Sequence, residues 1–467
     1  MTRLLLCALP LALAFPVPPE QTDEQTSIFQ SASKAAQAAS DAATPKVLAF
    51  FDSAEFRAEL RSCCPEAARQ SSAELLRRYR AAAQVAELSH ALPAHALADS
   101  PFTDITEKQV EGLAWFPNEF QAALLLNKST AQGAGMINDL AQKELFGCQP
   151  FAHAEPTWSE ASSRLIYIAH NMRRLDTGSM PFFGDMTVVF NSGRLNKAVL
   201  IAPYDTGLFT MDCLLDKKPH QFKPPPLNCS AWPRDVPVGT LEHLDHLIIP
   251  NFEVPYNHSA TNKTRMDGVR VLFSRGLSKV AYKDVPGLTY GDMGTYLESN
   301  ILANPSLPHA VKLVIGNFPT LFGTASGQEL QLMARRKGWP LFWAFGSGLT
   351  TQDKSSSPWT ENTTFKSNLR IADPRNIAEL TNASVPKGAE FFFDTVWDQA
   401  VLLRRTRNAT ALDAQLWWTL LRRQLEVSPM TADTCADVHG CVAVTEDSDC
   451  ICTTPPPPPP SLAAVVV

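Results

Sequence analysis

The chain has 467 residues, a formal net charge of −6, 45% hydrophobic residues and 19% charged residues. That much apolar sequence can bury sizeable cores, and the length suits two or three domains. A negative balance with no long basic run leaves nucleic-acid binding without electrostatic support.

The first residues, MTRLLLCALPLALAFPVPPE, place Arg3 ahead of an apolar run from Leu4 to Phe15, with Ala12-Leu13-Ala14 as a small-residue cleavage pattern. This layout predicts a secretory signal peptide over residues 1–14, too short to cross a membrane. Nothing later in the chain approaches the ~20 apolar residues a span needs, so no transmembrane segment is expected. Residues 15–26 are rich in Pro and acidic groups and read as a disordered leader. Residues 27–156 read as a helical packing layer without chemistry. In SSAELLRRYRAAAQVAELSH, Ser71 stands three before Glu74, the spacing of a capping box, and Leu75, Tyr79, Ala82 and Ala86 share one helical face. TEKQVEGLAWFPNEFQAALLL and GAGMINDLAQKELFG suit further helices.

An α/β domain is expected over residues 157–430. Thr157 and Glu160 form a second capping-box pair that opens a helix through TWSEASSRLIYIAHNMRR. Short apolar runs follow: MTVVF (186–190), KAVLIAP (197–203), HLIIPNF (246–252), VRVLFS (269–274), VKLVIG (311–316) and PLFWAFG (340–346). They are continuous in apolar character rather than alternating, as strands covered on both faces are. With helical stretches such as TASGQELQLMARRKGW between them, they predict mostly parallel, Rossmann-like sheets with flanking helices. The loop NHSATNKTRMDG (257–268) is a place where two lobes could divide. Residues 390–426 return to helix, residues 431–454 form a cysteine-rich module, and residues 455–467 carry a polyproline tail.

Asn-X-Ser/Thr sequons stand at Asn127, Asn228, Asn257, Asn262, Asn362, Asn382 and Asn408, all candidate N-glycosylation sites on the surface. Of ten cysteines, nine outlast signal removal: Cys63, Cys64, Cys148, Cys213, Cys229, Cys435, Cys441, Cys450 and Cys452. In an oxidising compartment they read as disulfide partners with one left over, their pairing open. Zinc competes for the tail, but CADVHGCVAVTEDSDCIC lacks paired C-x-x-C spacing and is acidic between its cysteines. Signal, sequons and cysteines agree on a secreted protein or one of the secretory-pathway lumen.

The tripeptide Asp-Thr-Gly occurs at Asp176–Gly178 and again at Asp205–Gly207. Two aspartates within a few ångströms cannot both ionise. They share a proton and activate water between them, which is the chemistry of aspartic hydrolases. Asp176 and Asp205 are therefore candidate catalytic residues. Against this, the copies lie close in sequence and in an α/β pattern, where such hydrolases are all-β. Each aspartate also has a plainer role: Asp176 in a turn after a helix, Asp205 as a cap after a strand. Glu242, His243, Asp245 and His246 offer two imidazoles and two carboxylates, but no third ligand is evident and a solvated loop is the simpler reading. No metal and no cofactor is implied. The chain lacks G-x-S-x-G, G-x-x-x-x-G-K-[ST] and H-E-x-x-H, and the glycine-rich FGSGL (345–349) has no phosphate-loop lysine.

DHLIIPNFEVP, VRVLFSRG, LMARRKGWPLFWAFGSG and DPRNIAELTNASVP follow one another over residues 245–386. Their order resembles that of exostosin-type glycosyltransferases, enzymes with two Rossmann-like lobes. The resemblance implies that Arg275 and Arg375 meet the diphosphate of a nucleotide sugar and that Glu379 meets its ribose. The charges suit those roles. Glu379 is displaced by one position from the pattern, and Asn382 opens a sequon inside the corresponding helix. Three readings stand side by side: a carbohydrate-active transferase using a nucleotide sugar, a non-catalytic surface or matrix glycoprotein, and an aspartic-type hydrolase.

Overall fold

A computed structural model describes residues 16–92, 115–125, 129–130, 134–172, 178, 184–215, 227–254, 273, 297–344, 370–373 and 389–408. Among these residues eight strands form one sheet in the order β4-β5-β2-β1-β3-β6-β7-β8. They are β1 (Glu87–Leu92), β2 (Ile166–Asn171), β3 (Met186–Phe190), β4 (Val199–Ala202), β5 (Leu297–Ile301), β6 (Val311–Asn317), β7 (Leu341–Ala344) and β8 (Arg370–Ala372). Helices among these residues include α1 (Asp23–Asp52), α2 (Ala54–Cys63), α3 (Ser72–Val85), α4 (Glu119–Leu125), α5 (Ala134–Phe146), α6 (Trp158–Ser162), α7 (Thr206–Phe209), α8 (Asp245–Glu253), α9 (Ala325–Lys337) and α10 (Ala389–Arg407).

The expected parallel, Rossmann-like sheet is corrected by the pairing. Every ladder is antiparallel except that of β6 with β7, where α9 makes the crossover. The apolar runs were informative about cover, not about direction. Val199 and Ile201 of β4 enter one core while Leu200 and Ala202 enter another on the opposite face. A strand buried on both faces reads as a continuous apolar run whichever way its neighbours point.

Three segments change identity. The helix expected through TWSEASSRLIYIAHNMRR stops at Ser162, and IYIAHN continues as β2. The helix ending in ELSH stops at Val85, and ELSHAL is β1. The N-terminal helical layer thus supplies a central strand of the sheet, between β2 and β3. HLIIPNF, expected as a strand, belongs to α8 with Pro250 inside it. The leader is also tied down: Asn304 Nδ2 donates to the Pro19 carbonyl, Gln21 Nε2 to the Leu302 carbonyl, and Trp158 Nε1 to the Pro16 carbonyl. Thr22 then caps α1 in a full capping box with Gln25.

One face of the sheet is covered by α1, α2, α3 and α8 around an aromatic cluster of Phe51, Phe56, Tyr79, Phe252 and Phe273. The other face is covered by α5 and the chain around α7, with Phe209 stacked on Trp232 at 4.1 Å between ring centroids.

At the β6–β7 pair, Gly316 lies opposite Trp343, whose indole donates to Asp373 Oδ2 at 2.9 Å. A Cβ on Gly316 would stand 2.6 Å from the Trp343 ring and 3.1 Å from Leu330. We expect Gly316→Ala to cost about 1–3 kcal/mol, the usual range for an overpacked core. Denaturant unfolding followed by tryptophan fluorescence measures it, and an unchanged midpoint would contradict this account of the strand.

Candidate functional site

The second Asp-Thr-Gly sits where β4 leaves the sheet. Asp205 is the N-cap of α7, and its side chain accepts from the Leu208 amide at 2.7 Å. A Cβ on Gly207 would lie 3.3 Å from Asp205 Oδ1, so the glycine leaves the capping carboxylate room. The tripeptide is thus a strand-to-helix turn whose aspartate satisfies a free amide at the helix start.

Directly beneath it lies a carboxylate that sequence reasoning did not single out. Glu298 on β5 pairs in register with Ala202, the last residue of β4, and with Ala169 of β2. Leu297 and Ile301 of β5 face the large core, which turns Glu298 and Asn300 toward the face that carries α7. Glu298 Oε1 accepts from the Thr206 hydroxyl at 2.5 Å, and Oε2 from the Thr206 amide at 3.0 Å. Asn300 Nδ2 donates to Oε1 at 3.2 Å, while Asn300 Oδ1 is buried without a hydrogen-bond partner. Glu298 is 5% exposed, Asp205 9%, and Thr206 and Asn300 are fully enclosed.

These surroundings raise both acids. Burial is the larger cause for each. It pushes Glu298 from 4.5 to about 8, with the negative charge of Asp205 adding to the effect. Burial likewise lifts Asp205 from 3.8 to about 6, against the pull of the Leu208 and Gly207 amides. Two acids in one dry site cannot both ionise cheaply, so at neutral pH the pair retains a proton on Glu298. The orphaned Asn300 Oδ1 fits this state. Rotating that amide by half a turn offers Oδ1 to a proton on Glu298 Oε1, and amide orientation is set by such networks. Tyr167 of β2 closes the same side, its hydroxyl donating to the Asn138 carbonyl at 3.3 Å, and Asn138 Nδ2 donates to Glu119 at 2.6 Å.

The turn is braced from behind. Tyr79 of α3 donates to Asn251 Oδ1 at 2.9 Å, and Asn251 Nδ2 of α8 donates to the Pro203 carbonyl at 2.7 Å, two residues before Asp205. Ahead of it, a π-helical turn at Thr210–Leu214 carries Cys213, which is disulfide-bonded to Cys229.

The remaining candidates are distributed as follows. Asp176 lies outside the described residues. Its Gly178 adopts φ +80° against Thr187 of β3, across β1, β2 and β5 from β4. The chain leading to that copy leaves a strand, β2, rather than the expected helix. Arg275, Arg375 and Glu379, the FGSGL glycines, and sequons Asn127, Asn257, Asn262, Asn362 and Asn382 also lie outside the described residues. So do Cys435, Cys441, Cys450 and Cys452 and the side chain of Cys63. Asn408 is exposed just past α10 at φ +49°, and Asn228 is half-buried in a turn. Cys64 is disulfide-bonded, and Cys148 is a buried free thiol whose burial pushes it up to about 11.

The histidine group serves structure. His246 Nε2 meets the Val238 carbonyl at 3.1 Å, which places the proton there and leaves Nδ1 to accept from Ser40 Oγ at 3.1 Å. Both ring nitrogens are thereby used. Asp245 is engaged by Arg80 and by the Thr44 hydroxyl. Among the described residues no group of three or more His, Cys, Asp or Glu is arranged to hold a metal ion.

No protein-family model matches the chain, and no curated protein matches it. No helix among the described residues is long and apolar enough to cross a membrane.

Proposed function

We propose that this protein is a non-catalytic glycoprotein of an acidic secretory compartment or of the cell exterior, and that the Asp205–Glu298 pair holds its fold together rather than cleaving substrate. One observation carries the reading. The pair is enclosed, and its oxygens are turned onto the cap of α7 and the side chains of Thr206 and Asn300. A hydrolytic dyad keeps oxygens available to a water that also meets substrate. Here donors from the chain itself take that place. The disulfide Cys213–Cys229 and the exposed sequon at Asn408 suit such a compartment. The mostly antiparallel sheet among the described residues supports this reading over one built on Rossmann-like sheets.

A thermal-shift series tests this. Ligands that bind the native state raise the melting temperature with occupancy. We expect no shift from a statine-type transition-state inhibitor of aspartic peptidases at pH 5. A saturable shift that Asp205→Asn removes would overturn the structural role of the pair. A saturable shift from a uridine or guanosine diphosphate sugar would restore the transferase reading.

A further inference from the structure

Asn228-Cys229-Ser230 is a sequon whose middle residue is half of a disulfide. In the fold this tripeptide is a tight turn. The Ala231 amide donates to the Asn228 carbonyl at 3.1 Å, and the Asn228 amide donates to the Val254 carbonyl at 2.8 Å. The Ser230 hydroxyl donates to Asn228 Oδ1 at 2.8 Å, so the two side chains a glycosylating enzyme reads are bonded to each other. Both flanks are anchored: Leu227 is buried, and Trp232 is buried under Phe209. The Cys213–Cys229 bond spans 16 residues and staples this turn to the π-helical turn that follows α7.

A transferase must draw the acceptor asparagine, its hydroxyl partner and the backbone between them into its own cleft. Doing so here would break the turn, lift Trp232 from its stack and strain the disulfide. Before the disulfide closes, the same residues are free to extend, since cross-linking restricts chiefly the unfolded chain.

We propose that glycan transfer to Asn228 and closure of Cys213–Cys229 are competing events, so that the order in which they happen fixes the occupancy of Asn228. The inference rests on passage of the chain through the secretory lumen. In the transfer, Asn228 Nδ2 forms a bond to the anomeric carbon of a diphosphate-linked oligosaccharide. The bond from that carbon to the diphosphate oxygen breaks, the diphosphate leaves with the electron pair, and the amide nitrogen gives up a proton. In the closure, the two thiols lose two protons and two electrons to a disulfide-bearing oxidant, which becomes a dithiol. Neither step consumes the other's atoms, so the competition is conformational.

The test uses the full chain in a secreting cell, with retained and secreted protein pooled. Occupancy at Asn228 and at Asn408 is read by peptide mass spectrometry after enzymatic deglycosylation in heavy-oxygen water. Three forms are compared: wild type, Cys213→Ser, and the double variant Cys213→Ser with Cys229→Ala, which keeps the sequon and leaves no stray thiol. Asn228 is expected to be glycosylated in a minority of wild-type chains and a majority of both variants, with Asn408 unchanged. Equal occupancy of Asn228 in all three, whether full or nil, with glycan present at Asn408, overturns the competition alone. Absence of glycan at every sequon in every form overturns the lumenal reading together with it.

Discussion

Glu298→Gln raises the melting temperature at pH 8 by several degrees, leaves it nearly unchanged at pH 4.5, and flattens the alkaline side of the stability profile. The sign follows from which state holds the proton. Unfolded, Glu298 releases its proton near 4.5, whereas the folded protein keeps it to about 8. Its contribution is therefore complete below about pH 4.5 and is lost as pH rises through 8. Asp205 works in the same direction over a lower window, from 3.8 to about 6. One pKa unit corresponds to about 1.4 kcal/mol, so a shift of this size, allowing for relaxation around the pair, amounts to about 3 kcal/mol at pH 8. Glutamine removes the titration while preserving the shape. Its Oε1 can take the Thr206 amide, and its Nε2 can donate to the turned Asn300 amide oxygen as the protonated acid does.

The acid side of the profile has other owners. His170 is enclosed between Ser299 Oγ at 2.6 Å and the Ala83 carbonyl at 2.7 Å, and burial lowers it from 6.5 to about 4. Burial lowers His90 as well, against the pull of its bond to the Tyr167 carbonyl. The contribution of His170 is complete above about 6.5 and is lost as pH falls toward 4, and His90 acts in the same direction. The two limbs cross in mildly acidic solution, and the melting temperature should peak there. Melting curves from pH 4 to 9 check both statements. A Glu298→Gln profile parallel to that of the wild type would show that the pair does not hold the proton assigned to it.

How far the sequence discloses this centre depends on which physical signal each part leaves. The capping-box spacings at Ser71 and Thr157 mark real helix starts, because the cap is a contact between residues three apart. β3, β4, β6 and β7 stand out as apolar runs. β5 does not, because Glu298, Ser299 and Asn300 put three polar side chains on a strand buried at every position. Glu298 and Ser299 are tolerated through partners far along the chain, Thr206 and His170, and Asn300 through Glu298 beside it on the strand. HLIIPNF misleads in the opposite sense. Leu247, Ile248 and Phe252 of this helix all enter the large core and Ile249 packs against it, so the apolar run shows no polar face and helical periodicity is blurred. Asp205 was legible as a cap after a strand, since Asp-Thr-Gly carries turn chemistry locally. Its relation to Glu298 was not, since no spacing rule connects residues brought together by strand register.

Arg80→Met lowers stability by about 2–3 kcal/mol, the second large effect expected, because it leaves a buried charge without its counter-ion. Asp245 is 3% exposed at its side chain and is held by Arg80 Nε at 2.9 Å, by a second guanidinium nitrogen, and by the Thr44 hydroxyl at 2.6 Å. Arg80 is 46% exposed, so its own desolvation is small and the loss falls mainly on the stranded carboxylate. The consequence reaches the carboxyl pair. Asp245 opens α8, and α8 carries Asn251, whose amide holds the Pro203 carbonyl just ahead of Asp205. A loosened α8 therefore loosens the turn that encloses Glu298, and water entering there lets Glu298 ionise at lower pH. Arg80→Met should accordingly flatten the loss of stability between pH 6 and 7, where the wild type still holds the Glu298 proton and the unfolded chain has released it. Asp245→Asn in the same chain should restore part of the loss, since it removes the charge that Arg80 had balanced. A double-mutant cycle by urea unfolding reads the coupling, expected at about 1–2 kcal/mol for groups in direct contact. Additive single effects, or an Arg80→Met chain within about 0.5 kcal/mol of wild type, would place Asp245 among surface-type ion pairs instead.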